Sequence, residues 1–157
     1  LERMRANSGV LRQYVDGAVL LGDGTITPVP PVPAANDSVA IASYDLWEWE
    51  QAIDGATEVT GAGADARDTS GLVSPSACIN TTVPVGSPNQ SGQYMVTIVW
   101  RGTAKLSDPV NQAVPLPVPD PYDCGRALAS GIYNSDDPVP VVDAHRRILI
   151  VDTFIAQ

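Results

Sequence analysis

The segment Tyr94-Met95-Val96-Thr97-Ile98-Val99-Trp100-Arg101 carries the clearest structural signal in the chain. It is rich in β-branched and aromatic residues and is bounded by Gly92 and Gly102, which is typical of a strand. A similar aliphatic segment, residues 147–155, stands near the end of the chain. We expect the two to pair as antiparallel neighbours in a small sheet, joined by a long Pro-rich connection.

The N-terminal residues predict an amphipathic helix from Glu2 to Leu21. Ser8-Gly9 weakens the helix locally, and Gly22-Asp23-Gly24 would end it. The run starts at Leu1 without an N-cap, which suggests a helix cut from a longer one. Such a helix needs an apolar surface to cover it, so we expect it to pack on the sheet. Its apolar positions are Met4, Val10, Leu11, Tyr14, Val15 and Ala18.

A shorter helix is predicted for about residues 44–54. Asp45 and Glu48 match a capping box, and apolar residues then recur at helical spacing. We expect Trp47 and Trp49 to pack between this helix and the sheet, with a carbohydrate platform as the alternative.

These elements predict a single α+β domain over residues 1–157, with a helix at 1–21 and a loop-rich head at 22–157. Prolines alternating with valine predict an extended connector over residues 25–38. Residues 55–92 are predicted to be mostly loop, with a short strand just after Cys78. The predicted core consists of Trp47, Trp49, Tyr94, Ile98, Trp100, Ile148, Ile150 and Phe154.

The composition limits the partners that the domain can take. The formal net charge is -9 at pH 7, which opposes contact with nucleic acid or with anionic lipid through the body of the domain. An acidic surface of this kind either only keeps the protein soluble or selects a basic partner.

Cys78 and Cys124 are the only two cysteines, 46 positions apart. Neither belongs to a Cys-x-x-Cys pair or stands beside a second metal ligand, so we expect a disulfide formed in an oxidising compartment, with two buried free thiols as the alternative.

The sequence motifs predict that the protein is not an enzyme and binds neither a cofactor nor a metal. His145 is the one histidine, and an Asp-x-His pattern is a weak signal for catalysis, so we expect a surface residue. Asp136 and Asp137 with Asn134 and Ser135, and Asp120 with Asp123, are interpreted as hydrated turns rather than calcium ligands. Residues 61–64 alternate Gly and Ala but lack the lysine of a phosphate loop.

The opening Glu2-Arg3-Met4-Arg5-Ala6-Asn7 resembles the Glu-Arg-Met-Arg-Ala-Asn stretch typical of PilV-type minor pilins of type IV pili. Residues 44–49 resemble the Tyr-Asp-x-x-x-Trp segment of that family, with Trp49 at the position of the tryptophan and a second tryptophan, Trp47, two places before it. Residues 94–100 resemble its Tyr-x-Val-x-Val-x-Trp strand, and residues 146–155 resemble its closing strand. Residues 55–92 and 105–140 match the family poorly.

The resemblance implies a pilin-like fold, in which a long N-terminal helix packs on an antiparallel sheet and its missing hydrophobic half anchors the protein in the bacterial inner membrane. It implies a subunit matured by prepilin peptidase, held in the inner membrane facing the periplasm and later carried to the extracellular pilus tip. There it would join other minor pilins in a priming complex, above the major pilin, that starts assembly, displays a tip adhesin, and supports adhesion and twitching motility.

For this role the expected helix-packing and partner-interface residues are Met4, Leu11 and Tyr14, which would be buried against neighbouring helices. Arg3 and Arg5 are expected near the anionic membrane surface or a neighbouring subunit. Two alternatives stay open: a minor pseudopilin of a type II secretion system, and a tip-exposed module that binds a receptor or a carbohydrate.

Overall fold

The computed structural model describes residues 1–15, 30–55, 59–60, 67–68, 72–104, 106, 124 and 145–157, and it has the predicted α+β class. Its helices are α1 (Glu2–Ala6), a 3-10 helix (Ser8–Tyr14) and α2 (Ser38–Asp54). Its strands are β1 (Val59–Thr60), β2 (Arg67–Asp68), β3 (Ser76–Thr81), β4 (Gly92–Arg101) and β5 (Arg146–Ile155).

Strand β4 lies at the centre of an antiparallel three-stranded sheet of order β3-β4-β5. The register pairs Val96 with Ile79 on one side and with Val151 on the other. Both strands predicted from aliphatic runs are therefore confirmed, and so is their antiparallel pairing. The short strand expected just after Cys78 is β3, which begins before Cys78 and includes it. The two-residue strands β1 and β2 pair with each other.

The prediction of one helix from residue 2 onward is wrong. Helix α1 ends at Ala6, because Asn7 leaves the helical region with φ -112° and ψ 38°. The 3-10 segment that follows is itself kinked at Val10. Ser8 and Gly9 favour this break, since both are poor helix formers. The remainder of the predicted helix, residues 16–21, lies outside the described residues.

Helix α2 begins six residues before the predicted start. Its N-cap is Asp37, whose side chain accepts a 3.0 Å hydrogen bond from the amide of Ala40, rather than Asp45. Gly55 ends the helix in the left-handed conformation at φ 73°. The predicted extended connector therefore stops at Asp37; its described part, residues 30–37, contains neither helix nor strand.

The main core lies between the helices and one face of the sheet. Side chains of a strand alternate between faces, so the helix-facing side of the sheet carries every second residue. The buried members of this core are Met4, Leu11, Tyr14, Ala42, Leu46, Ile53, Ala77, Ile79, Val83, Tyr94, Val96 and Ile155. On the opposite face a smaller cluster joins Val99 and Cys124 with the partly buried Cys78 and Ile148.

The predicted core residues divide between these two faces. Tyr94 is fully buried, and Trp49 and Ile98 pack against the main core as partly buried residues. Trp47, Trp100 and Ile150 are half-buried. Phe154 is 67% exposed, so its assignment to the core is wrong. Phe154 lies near the end of β5, on the face of the sheet away from the helices. Among the described residues, Cys124 covers this face, and it packs on Val99 and Ile148.

No helix within the described residues is long and apolar enough to cross a membrane.

Candidate functional site at the α1–α2 junction

Two sequence segments that lie 42 residues apart meet at a cluster of polar side chains. We call this cluster the α1–α2 junction and define it as Arg3, Asn7, Tyr14, Asp45 and Glu48. The guanidinium of Arg3 donates hydrogen bonds through Nη1 to Oδ1 of Asp45, at 2.9 Å, and to Oε2 of Glu48. Arg3 therefore joins α1 to two successive turns of α2.

Asp45 is the central acceptor of the junction. Its Oδ1 accepts from Arg3, and its Oδ2 accepts a 2.6 Å hydrogen bond from the phenol of Tyr14. Both carboxylate oxygens are thus used to hold the N-terminal segment against α2. A hydrogen bond to a charged group contributes about 1.5–3 kcal/mol, more than one between neutral groups.

Asn7 connects the break after α1 to the start of α2. Its Nδ2 donates a 2.8 Å hydrogen bond to the carbonyl oxygen of Ser38 and lies 3.3 Å from the hydroxyl of Tyr14. The residue that ends α1 therefore also fixes where the chain turns. This contact explains why the break at Asn7 is a defined structural feature.

The electrostatics of the junction keep its donors protonated. Hydrogen bonds to Glu48 and then to Asp45 raise the pKa of Arg3. Burial, and next the hydrogen bond to Asp45, raise the pKa of the Tyr14 phenol well above its usual value. Arg3 and Tyr14 therefore stay protonated, and as donors they hold the N-terminal segment against α2.

Arg5 connects the same N-terminal segment to the sheet. Its Nη2 donates a 2.6 Å hydrogen bond to Oγ1 of Thr153, and its Nη1 donates to Oε1 of Glu2 at 2.6 Å. Thr153 lies on β5 opposite Tyr94 of β4. Arg5 therefore links α1 to the strand that pairs with β4.

A groove of about 460 Å³ opens beside the junction, between α1, α2 and the sheet. We call it the α1–α2 groove. Its lining combines apolar residues of the sheet, Ile79, Val96 and Val151, with charged side chains of the junction. The described residues that line it are Leu1, Glu2, Arg3, Met4, Tyr14, Asp45, Leu46, Glu48, Trp49, Ala52, Ile79, Val96 and Val151.

Three residues expected at a partner interface are buried inside the domain. Met4, Leu11 and Tyr14 pack in the main core and are almost wholly buried there. Their contacts are thus made within the domain, and their part in a partner interface stays a prediction. The side chains of Arg3 and Arg5 are 58% and 46% exposed, although both already bind partners within the domain.

The expected disulfide is confirmed. Cys78 and Cys124 are bonded at 2.05 Å, with their Cα atoms 5.9 Å apart. The buried Arg146 adds a second contact, because its Nη1 donates a 2.8 Å hydrogen bond to the carbonyl oxygen of Cys124. Sequence reasoning missed this role of Arg146, for which the only local signal is a basic pair that precedes an aliphatic strand.

The candidate chemical residues are either buried or outside the described residues. His145 is buried rather than exposed as predicted, and its Nδ1 lies 3.2 Å from the carbonyl oxygen of Gly102, because the turn into β5 packs on the end of β4. Residues 61–64, 120–123 and 134–137 are not among the described ones. Within the described part of the chain, no three metal-ligating side chains cluster.

The two tryptophans of α2 have different surroundings. Trp49 packs on the main core and lines the α1–α2 groove. The ring of Trp47 lies 5.4 Å from that of Tyr44, at an angle of 52°. Sequence spacing alone did not separate these two roles.

The chain matches no family model, no curated protein and no solved structure. The fold and the site define an α+β domain whose N-terminal segment is bound firmly to a helix and to a sheet.

Proposed function

We propose that the chain is the globular domain of a type IV pilus minor pilin of the PilV type. It would act as a structural subunit of the priming and tip complex and not as an enzyme. The observation that carries this proposal is the bridge from Arg3 to Asp45 and Glu48. It joins the two segments with the most specific family resemblance, Glu2–Asn7 and Tyr44–Trp49.

The contacts of α1 suit a subunit that presents an N-terminal helix to an assembly. Arg3 binds α2, Arg5 binds β5 and Met4 is buried between them. Three separate contacts fix the direction in which the chain would enter the domain from a preceding membrane helix. A fixed direction reduces the ordering cost of assembly, because the subunit does not lose that freedom on binding.

The disulfide supports the location that this function requires. Disulfides persist in oxidising compartments, of which the bacterial periplasm is one. We therefore propose that the domain resides on the periplasmic side of the inner membrane before assembly and at the pilus tip afterwards. Its partners would be other minor pilins, the tip adhesin and the major pilin.

Deletion of the gene in the source bacterium tests this function. We expect a loss of surface pili and of twitching motility, restored by the wild-type gene. Complementation with an Arg3→Glu variant should restore less, because glutamate would face Asp45 and Glu48. The control is Val85→Glu, at a position that is 83% exposed and does not belong to the junction. Normal piliation and motility in the deletion strain would rule the proposed function out.

A further inference from the structure

We infer that the α1–α2 groove is the docking site for a basic amphipathic helix of a partner subunit. The setting of this inference rests on the proposed function, since a subunit of an assembly needs a surface for its neighbour. The site itself follows from the shape, the apolar lining residues and the charge of the groove.

The apolar surface of the groove continues along β5. Val151 lines the groove and is 39% exposed, and Leu149, two residues earlier on the same face, is 49% exposed. Their neighbours across the ladder are Val96 and Ile98, which belong to the main core or pack against it. The helices thus cover the β3 and β4 side of this face and leave apolar side chains of β5 open to a partner.

The groove has the dimensions of a site for side chains of a helix. Its volume of about 460 Å³ falls in the range of ligand pockets. One wall is a face of α2 formed by Asp45, Glu48, Trp49 and Ala52, which spans about two helical turns. A helix laid along this wall would insert residues at i, i+3 or i+4 and i+7 between α2 and β5.

The charge of the groove lining selects a basic partner. Among the described residues that line the groove are three carboxylates, on Glu2, Asp45 and Glu48, and one guanidinium, on Arg3. Arg3 pairs with Asp45 and Glu48, and Arg5 pairs with Glu2 from outside the lining, so three carboxylates face two guanidinium groups. The side chain of Glu2 is 86% exposed, and exposed ion pairs of this kind are weak enough to exchange partners. The chain as a whole carries a net charge of -9, which draws a cationic segment and repels an acidic one.

A pair of model peptides tests the chemistry of the partner. Both are about four helical turns long with the same pattern of leucines, and their polar face is lysine in one and glutamate in the other. We expect the leucine–lysine peptide to bind the ¹⁵N-labelled 157-residue protein and to shift amide signals of α2 and β5. The leucine–glutamate peptide should bind about tenfold more weakly or worse, a difference of roughly 1.4 kcal/mol.

A matched pair of variants tests whether the peptide binds in the α1–α2 groove. Val151→Arg puts a charged side chain into the groove and should lower the affinity for the leucine–lysine peptide at least about tenfold. Val85→Arg makes the same change in net charge at an exposed position that does not line the groove, and it should leave the affinity unchanged. The thermal unfolding midpoints of both variants must match that of the wild type. If the midpoint of Val151→Arg does not, Val151→Thr replaces it and Val85→Thr becomes its control. The expected loss of peptide affinity is then smaller.

Three results would each overturn the inference: no binding of the leucine–lysine peptide, equal binding of both peptides, or equal affinity in the Val151 and Val85 variants. These results do not bear on the pilus phenotype of the deletion strain. A wrong docking site and a wrong proposed function would thus be told apart by different experiments.

Discussion

The phenol of Tyr14 donates a 2.6 Å hydrogen bond to Oδ2 of Asp45, across 31 positions of sequence. The tyrosine ring is buried in the main core, while the hydroxyl reaches the edge where Asp45 also binds Arg3. One side chain therefore links the apolar packing of the N-terminal segment to its polar contact with α2. The stability of the domain and the position of α1 should depend on the same residue.

Replacing Tyr14 with phenylalanine should lower the free energy of unfolding by about 1.5–3 kcal/mol. The ring still fills its buried site, but Asp45 loses a hydrogen bond to its charged carboxylate. Urea unfolding measures the difference. The control is Tyr44→Phe, whose ring contact with Trp47 does not need the hydroxyl, and it should cost less than about 0.5 kcal/mol. Equal losses in the two variants would count against the role given to the Tyr14 hydroxyl.

The same tyrosine predicts how stability falls at alkaline pH. Burial, and next the hydrogen bond to Asp45, raise the pKa of Tyr14 above the value of about 10 found in an unfolded chain. Its contribution is therefore fully present below pH about 10 and is lost as the pH rises from there through the folded pKa. Tyr94, whose pKa is also raised by burial, adds to this loss. The free energy of unfolding of Tyr14→Phe, measured between pH 9 and 11, should fall less steeply than that of the wild type; parallel curves would refute this.

Gly92 predicts a steric effect at the start of β4. A Cβ atom at this position would collide with Cγ2 of the buried Val83. Gly92→Ala should therefore destabilise the domain by about 1–3 kcal/mol, the usual cost of overpacking. Chemical unfolding measures this loss, and adding Val83→Ala should recover part of the stability lost through the clash.

The matched control for Gly92 is Gly9, where an added Cβ meets nothing within 4 Å. Gly9→Ala should be neutral or stabilise the domain by up to about 1 kcal/mol, because alanine restricts the unfolded chain. If Gly92→Ala proved as harmless as Gly9→Ala, the close approach of Val83 to β4 would be disproved.

The disulfide should supply a large share of the stability. It closes a loop of 46 residues, which corresponds to roughly 4 kcal/mol in the chain-entropy account. A Cys78→Ala, Cys124→Ala double variant should unfold at a correspondingly lower denaturant concentration. The oxidised wild type should show no free thiol when denatured, and two moles of reactive thiol per mole of protein would contradict the bond.

The strands could be predicted from sequence because their signal is local. Each is a continuous aliphatic run, and neither depends on a distant contact for its identity. The break at Asn7 could not be predicted with the same ease, since the bond from its side chain to Ser38 crosses 31 positions. The start of α2 was misplaced because Asp37 and Asp45 are both good N-caps, and the prolines between residues 28 and 33 favoured an extended connector up to residue 38.

The contacts of the candidate site were also hard to predict from sequence, because they join distant residues. Asp45 and Glu48 were correctly placed together on a helix, but their capping pattern hid their use as acceptors for Arg3. The burial of Met4 and Leu11 follows from their place on an apolar face, yet sequence does not say whether that face is covered by the same chain or by a neighbour. The exposure of Phe154 likewise depends on which part of β5 is covered on the face away from the helices.

Mass-spectrometric sequencing of the N terminus of the native protein, recovered from surface fibres sheared from the source bacterium, tests the central claim most directly. The account predicts that the protein is present in the fibres. It also predicts a methylated first residue that opens a hydrophobic segment of about 25 residues, long enough for a helix that spans the bilayer. A native protein absent from the fibres, with an N terminus near Leu1 produced by ordinary secretory cleavage, would contradict the assignment to a minor pilin.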